Sequence, residues 1–249
     1  DPHVYKIGDE NFTNDRMTRI DPKIDRPEAI TLHSLDGIVK AVLAELNRSE
    51  ITKPIFVCPD DYDTVSVFTT LRKDNQKRDM LYTASAVLPH RAPEEMTHDE
   101  AMIALRSRFV PNEGTEYLLD LLSTVNDESG VKSTDNGVTQ VVEARTGVAL
   151  KSNVRVNPIV RLAPYRTFLE VEQPESEFLL RLKPGDKEKG RSATVSLIEA
   201  DGGAWKLAAK HAIAEYFREA FSEVDSRLII VAEEKRKPTD AGTIGRKVR

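Results

Sequence analysis

A chain of 249 residues with 39% hydrophobic and 31% charged side chains has the composition of a globular protein, long enough to bury a core without disulfides or metals. Its formal net charge of −5 argues against broad nonspecific binding to nucleic acid, an affinity that comes from neutralising phosphates. No stretch approaches the roughly 18 consecutive apolar residues of a membrane span, and the opening residues, DPHVYKIGDENF, lack the apolar segment of a signal peptide. A cytoplasmic protein without a membrane partner is therefore expected. The single cysteine, Cys58, lies in the apolar run Ile55–Cys58, where a thiol packs as a small hydrophobe, in keeping with a reducing compartment.

Residues 1–30 carry Pro2, Pro22 and Pro27 among many charges and read as an extended N-terminal arm. From Ser34, placed as an N-cap, Leu35, Ile38, Val39, Val42, Leu43 and Leu46 recur at helical spacing. After Pro54 the period falls towards two through Ile55–Cys58, Thr64–Leu71 and Met80–Val87, which predicts a three-stranded antiparallel meander. Thr97 and Glu100 have the spacing of a capping box ahead of a helix with Met102, Ile103, Leu105 and Phe109. A further helix is expected over about Thr115–Val125. These elements form a predicted N-terminal α+β lobe, 31–126.

Residues 127–137, within the polar run NDESGVKSTDNG, read as a flexible loop between lobes. Strands are predicted beyond it over Val138–Ala144, Gly147–Val156, Ile159–Leu162, Thr167–Glu172, Phe178–Leu182 and Ala193–Glu199. Asp201, Gly202 and Gly203 introduce the longest helix, about Ala204–Ser222, with Trp205, Ala209, Ile213, Tyr216, Phe217 and Phe221 three and four apart. A last strand, Leu228–Ala232, closes a β-rich lobe, 138–232, ahead of a basic tail, 233–249. The fold class is α+β, mainly antiparallel, with three to four helices, the longest packed on the C-terminal sheet.

No pattern assigns a catalytic, cofactor-binding or metal-ligating residue. Read as a strand, Thr167–Glu172 would put Thr167, Leu169 and Val171 on one face and Arg166, Phe168, Glu170 and Glu172 on the other, with Glu170 and Glu172 roughly 7 Å apart. Two such carboxylates could hold Mg²⁺ in a nuclease. The E-x-K step common in such enzymes is absent, and a charged face guarding a strand edge is the plainer reading. Asp201-Gly202-Gly203 matches neither G-x-G-x-x-G nor the Walker pattern. Asp201 is expected to cap the helix, with Trp205 and Leu207 anchoring it. His98-Asp99 reads as first-turn charge, and His3, His33, His90 and His211 lack metal-ligand spacing. A G-x-S-x-G elbow is also missing. Arg161, Arg166, Glu170, Glu172, Arg181 and the tail residues Lys235, Arg236 and Lys237 remain as candidate interaction residues.

The blocks SLDGIV (34–39), LRSRFV (105–110), APYRTFLEVEQP (163–174) and EADGGAWKL (199–207) give the chain a specific likeness. Over about residues 34–232 it resembles the YfdQ-like proteins of bacteriophages and prophages. The resemblance implies a phage context, with relatives often among early genes, and brings no assigned activity, cofactor or catalytic residue. The leading expectation is a non-enzymatic phage-derived protein that assembles with itself into a ring, shell or cage, its terminal arms reaching neighbouring subunits. One alternative is a nucleic-acid-associated accessory factor in phage replication, recombination or counter-defence, with Arg161, Arg166, Arg181 and the tail on phosphates. The other is a metal-dependent nuclease using Glu170 and Glu172.

Overall fold

The computed structural model describes residues 3–13, 27–48, 54–73, 75–124, 140–146, 149–183, 192–224 and 227–232. In chain order the elements are β1 (Val4–Ile7), β2 (Glu10–Thr13), β3 (Ile30–Leu32), α1 (Leu35–Leu46), β4 (Ile55–Asp61), β5 (Thr64–Thr69), β6 (Met80–Ser85) and β7 (Glu95–Thr97). They continue with α2 (His98–Ser107), β8 (Phe109–Val110), α3 (Glu113–Thr124), β9 (Gln140–Thr146), β10 (Ala149–Val156), β11 (Ile159–Pro164), β12 (Ser176–Lys183), β13 (Thr194–Glu199), α4 (Ala204–Ala220) and β14 (Leu228–Ile230). The fold is α+β, with mostly antiparallel sheets. No helix among the described residues is long and apolar enough to cross a membrane.

The first five-stranded sheet has the order β14-β4-β5-β6-β3. Its centre is the expected antiparallel meander of β4, β5 and β6, with Val57 opposite Val67 and Val67 opposite Tyr82. The alternation of β4 buries Ile55 and Val57, and α1 supplies Leu35, Ile38, Val42 and Leu46 to the same core. Ser34 caps α1 as expected, its Oγ accepting from Gly37 N at 3.1 Å, an interaction worth about 1 kcal/mol. Short strands β3 and β14 join the meander in parallel at its two edges.

The second sheet has the order β7-β13-β12-β11-β8. In β12 the side chains of Phe178, Leu180 and Leu182 point inward, while Glu177, Leu179 and Lys183 are exposed. The inward row meets Leu105 of α2 and Leu118 and Leu122 of α3 in a second core. At the start of α2 the capping box forms as predicted: Thr97 N donates to Glu100 Oε2 at 2.9 Å, and Glu100 N donates to Thr97 Oγ1 at 3.4 Å.

The layers do not follow the expected lobes. Strands β7 and β8 and helices α2 and α3 belong with the later strands β11 to β13, whereas α4 and β14 return to the first layer. Residues 127–137 lie outside the described residues. Helix α4 packs mainly against β4, β14 and α1 rather than on the sheet of β11, β12 and β13, because Ile213, Phe217 and Phe221 complete the core around Ile55, Val57 and Val65. The predicted strand Thr167–Glu172 is instead a turn-rich connection that buries Thr167 and Phe168 and exposes Leu169. Within the expected N-terminal arm, β1 and β2 pair as an antiparallel hairpin.

Candidate functional site

The connection Tyr165–Glu175 joins the two layers, and it is held by a side chain in place of a strand ladder. Gln173, buried, accepts through Oε1 from Arg166 N at 2.9 Å and Thr167 N at 3.1 Å, and donates through Nε2 to Phe168 O at 3.0 Å. Buried backbone polar groups need such partners. Thr167 Oγ1 donates to Tyr62 O at 2.5 Å, tying the segment to the β4–β5 turn. Phe168 enters the first core. Glu170 Oε1 accepts from Leu35 N at 2.8 Å, so its carboxylate complements the N-terminus of α1 instead of joining an acidic pair.

Arg166 turns into the junction between the layers. Its Nη1 donates to Glu199, its Nη2 donates to Pro174 O at 2.8 Å and Ser176 Oγ at 2.5 Å, and its Cζ lies 4.0 Å from the centre of the Trp205 ring. Trp205 Nε1 in turn donates to Glu199 Oε2 at 3.1 Å. Ser176 Oγ donates to Asp201 Oδ2 at 2.6 Å, and Asp201 accepts from Gly203 N at 2.9 Å and Trp205 N at 3.2 Å. Asp201 thus holds the start of α4 as the sequence predicts, across a turn in which Gly202 and Gly203 have φ of 64° and 81°, values that favour glycine. Trp205 is the anchor; Leu207 is exposed.

Burial lowers the pKa of the Arg166 guanidinium from its usual value, against the raising effects of Glu199 and Asp201. Arginine keeps its charge under any such shift, so the shift marks a cation only partly compensated. Its Nε is enclosed and has no hydrogen-bond partner among the described residues. Burial also opposes the charge on Asp201, but the hydrogen bonds from Ser176, Gly203 and Trp205 together hold its carboxyl below the ordinary value.

Beside this network opens a cleft of about 190 Å³. It is lined by the buried side chains of Met96, Phe109, Phe178 and Leu197, by the segment Leu88–Glu94, and by Tyr62, Glu199 and Trp205. Two further guanidinium groups stand in it. Arg108 Nη1 donates to Arg91 O at 3.3 Å, and Arg91 Nη2 lies 4.0 Å from Glu199 Oε2.

The residues singled out from the sequence are not brought together. Arg161 is exposed on β11 opposite Glu177, with Nη2 3.5 Å from its Oε1. Its carbonyl leaves no room at the neighbouring Gly114, where a Cβ would come within 2.0 Å of Arg161 O. Arg181 stands opposite Ser196 on β12, Glu172 is exposed, and Lys235, Arg236 and Lys237 lie outside the described residues. His98 ties α2 to α3 through a 2.5 Å contact from Nε2 to Leu122 O. Among the described residues, no group of three His, Cys, Asp or Glu side chains has the arrangement of a metal site.

Sequence reasoning missed the partners of Arg166, as well as Arg91 and Arg108. Arg166 and Glu199 are 33 residues apart in the chain, so no local pattern joins them. No model of a known protein family matches the chain, no curated protein matches it, and no solved structure matches its fold.

Proposed function

We propose that this chain is a non-enzymatic, phage- or prophage-derived protein that assembles with copies of itself in the cytoplasm of a bacterial host. The observation that carries the reading is the hairpin of β1 and β2. A lone two-stranded hairpin is marginal in water, and among the described residues no third strand pairs with this one. On β1, Val4, Tyr5 and Ile7 are exposed by 63%, 47% and 57%, while Phe12 of β2 is half-buried. Docking on a neighbouring copy would bury the exposed apolar side chains of β1.

An apolar row on the outer face of the second sheet supports the reading as the surface that receives the hairpin. Ile159, Leu179 and Ile198 lie side by side across β11, β12 and β13, all three exposed. An arm that leaves one copy to cover this row on the next makes a head-to-tail contact, and such contacts generate rings when the rotation closes. The competing readings draw less support from the geometry. Arg166 is engaged by Glu199 inside the junction, Arg161 faces a carboxylate, and Glu170 serves α1.

The test is the mass of the full-length chain by light scattering at micromolar concentrations. An assembly of several protomers is expected, and the double variant Val4→Ser, Ile7→Ser, with an unchanged circular dichroism spectrum, should fall to a smaller species. A monomer at every concentration overturns self-assembly. An assembly indifferent to the double variant overturns the role of the hairpin.

A further inference from the structure

We propose that the cleft between the layers binds a small organic oxyanion, a carboxylate or phosphate group carried on a compact apolar or aromatic body. The inference does not depend on how many copies assemble.

The first argument is charge. Arg91, Arg108 and Arg166 all line the cleft, against the carboxylates of Glu94 and Glu199. Glu199 is already shared between Arg166 and the Trp205 indole, and Arg91 reaches it only at 4.0 Å. Arg108 spends its hydrogen bond on a neutral carbonyl. Arg91 adds to the depression of the Arg166 pKa as the smallest of its causes, after burial, so these two guanidinium groups repel one another. An oxyanion in the cleft relieves the repulsion, and the fork of an arginine matches carboxylate and phosphate oxygens. Because Arg166 Nε is enclosed, Arg166 contributes its field, and Arg91 and Arg108 at the mouth contribute the hydrogen bonds.

The second argument is shape and polarity. Behind the arginines the cleft is floored by buried Met96, Phe109 and Leu197, apolar surface suited to a ring or a branched aliphatic body. Pro89 and Pro93 stiffen the lining segment that carries Arg91, since each fixes its own φ. A preformed wall reduces the ordering cost of binding. A predominantly apolar pocket with a few convergent polar groups is the usual form of a small-molecule site. The Trp205 and Tyr62 rings are 4.7 Å apart, with Arg166 over the indole, which leaves them as a side wall rather than an open stacking platform.

Trp205 is the only tryptophan of the chain, so its emission reports on the cleft directly. The full chain should be titrated with phenyl phosphate, benzoate, benzyl alcohol and inorganic phosphate, following Trp205 emission and, independently, heat by calorimetry. A saturable response to phenyl phosphate or benzoate is expected, and whichever binds more tightly identifies the head group. Benzyl alcohol, which lacks the charge, and inorganic phosphate, which lacks the body, should bind at least about tenfold more weakly. Arg108→Gln and Arg91→Gln should each weaken the preferred anion by about tenfold, the scale of one charge-assisted hydrogen bond, while circular dichroism stays unchanged. No saturable binding of either aromatic anion, equal binding of benzyl alcohol or inorganic phosphate, or binding indifferent to both arginine variants each overturns the proposal.

Discussion

Arg166 and Asp201 hold the junction from opposite sides of Ser176, whose hydroxyl accepts from the first and donates to the second. The arrangement makes a pH dependence that can be signed. The folded state holds the Asp201 carboxyl below its ordinary pKa, so at mildly acid pH the unfolded chain binds this proton more readily than the folded one does. Stability contributed by Asp201 is therefore complete above the unfolded value, near pH 4, and declines as pH falls through the lower folded value. Asp201→Asn removes that dependence. Urea midpoints of the two proteins should differ most near neutrality and converge as the pH approaches about 2. A gap that stays constant over that range would show that Asp201 acts by its hydrogen bonds alone, without its charge. None of this was legible in advance, because Asp201 could be read only as a local cap, whereas Arg166 and Ser176 reach it through the fold.

Among the elements, legibility followed how local the determinants are. Ser34 and the Thr97–Glu100 box mark helix starts because a cap is a contact within four residues, and both formed as read. The meander of β4 to β6 followed from its period of two. By contrast β3, β7 and β8 have only two or three residues each, too few to carry a period, and they are strands because a neighbour offers a free edge. The segment Thr167–Glu172 misled in the other direction, since its alternation is real but its backbone is satisfied by Gln173 rather than by a ladder. Gln173→Ala leaves the buried N–H groups of Arg166 and Thr167 without an acceptor. At about 1–3 kcal/mol for each such group, the variant should lose at least about 2 kcal/mol of unfolding free energy by urea titration. Trp205 emission should shift as the Arg166 guanidinium loosens. A loss under about 0.5 kcal/mol, ordinary for a surface substitution, would mean that the connection has another way to satisfy its backbone.

Across the whole molecule the two layers are joined by elements that belong to both. Arg166 lies in the network beneath the second sheet, yet Phe168, two residues on, is buried in the first core. Helix α4 begins at Trp205 in the junction and ends with Phe217 and Phe221 among the side chains of β4 and β5. The following strand, β14, then closes the edge of β4, with Leu228 opposite Ile55. Unfolding one layer alone would pull Phe168 or Trp205 out of its packing and strip Arg166 of the indole that covers it, and losing the burial of one large aromatic side chain costs about 3–5 kcal/mol. The layers should therefore unfold together. Trp205 emission, which samples the junction, and far-ultraviolet circular dichroism, which samples both layers, are expected to give one coincident transition in urea. Separated transitions, with Trp205 exposed before most of the helix signal is lost, would make the junction a weak seam between two independently stable layers, with the cleft a gap between two bodies.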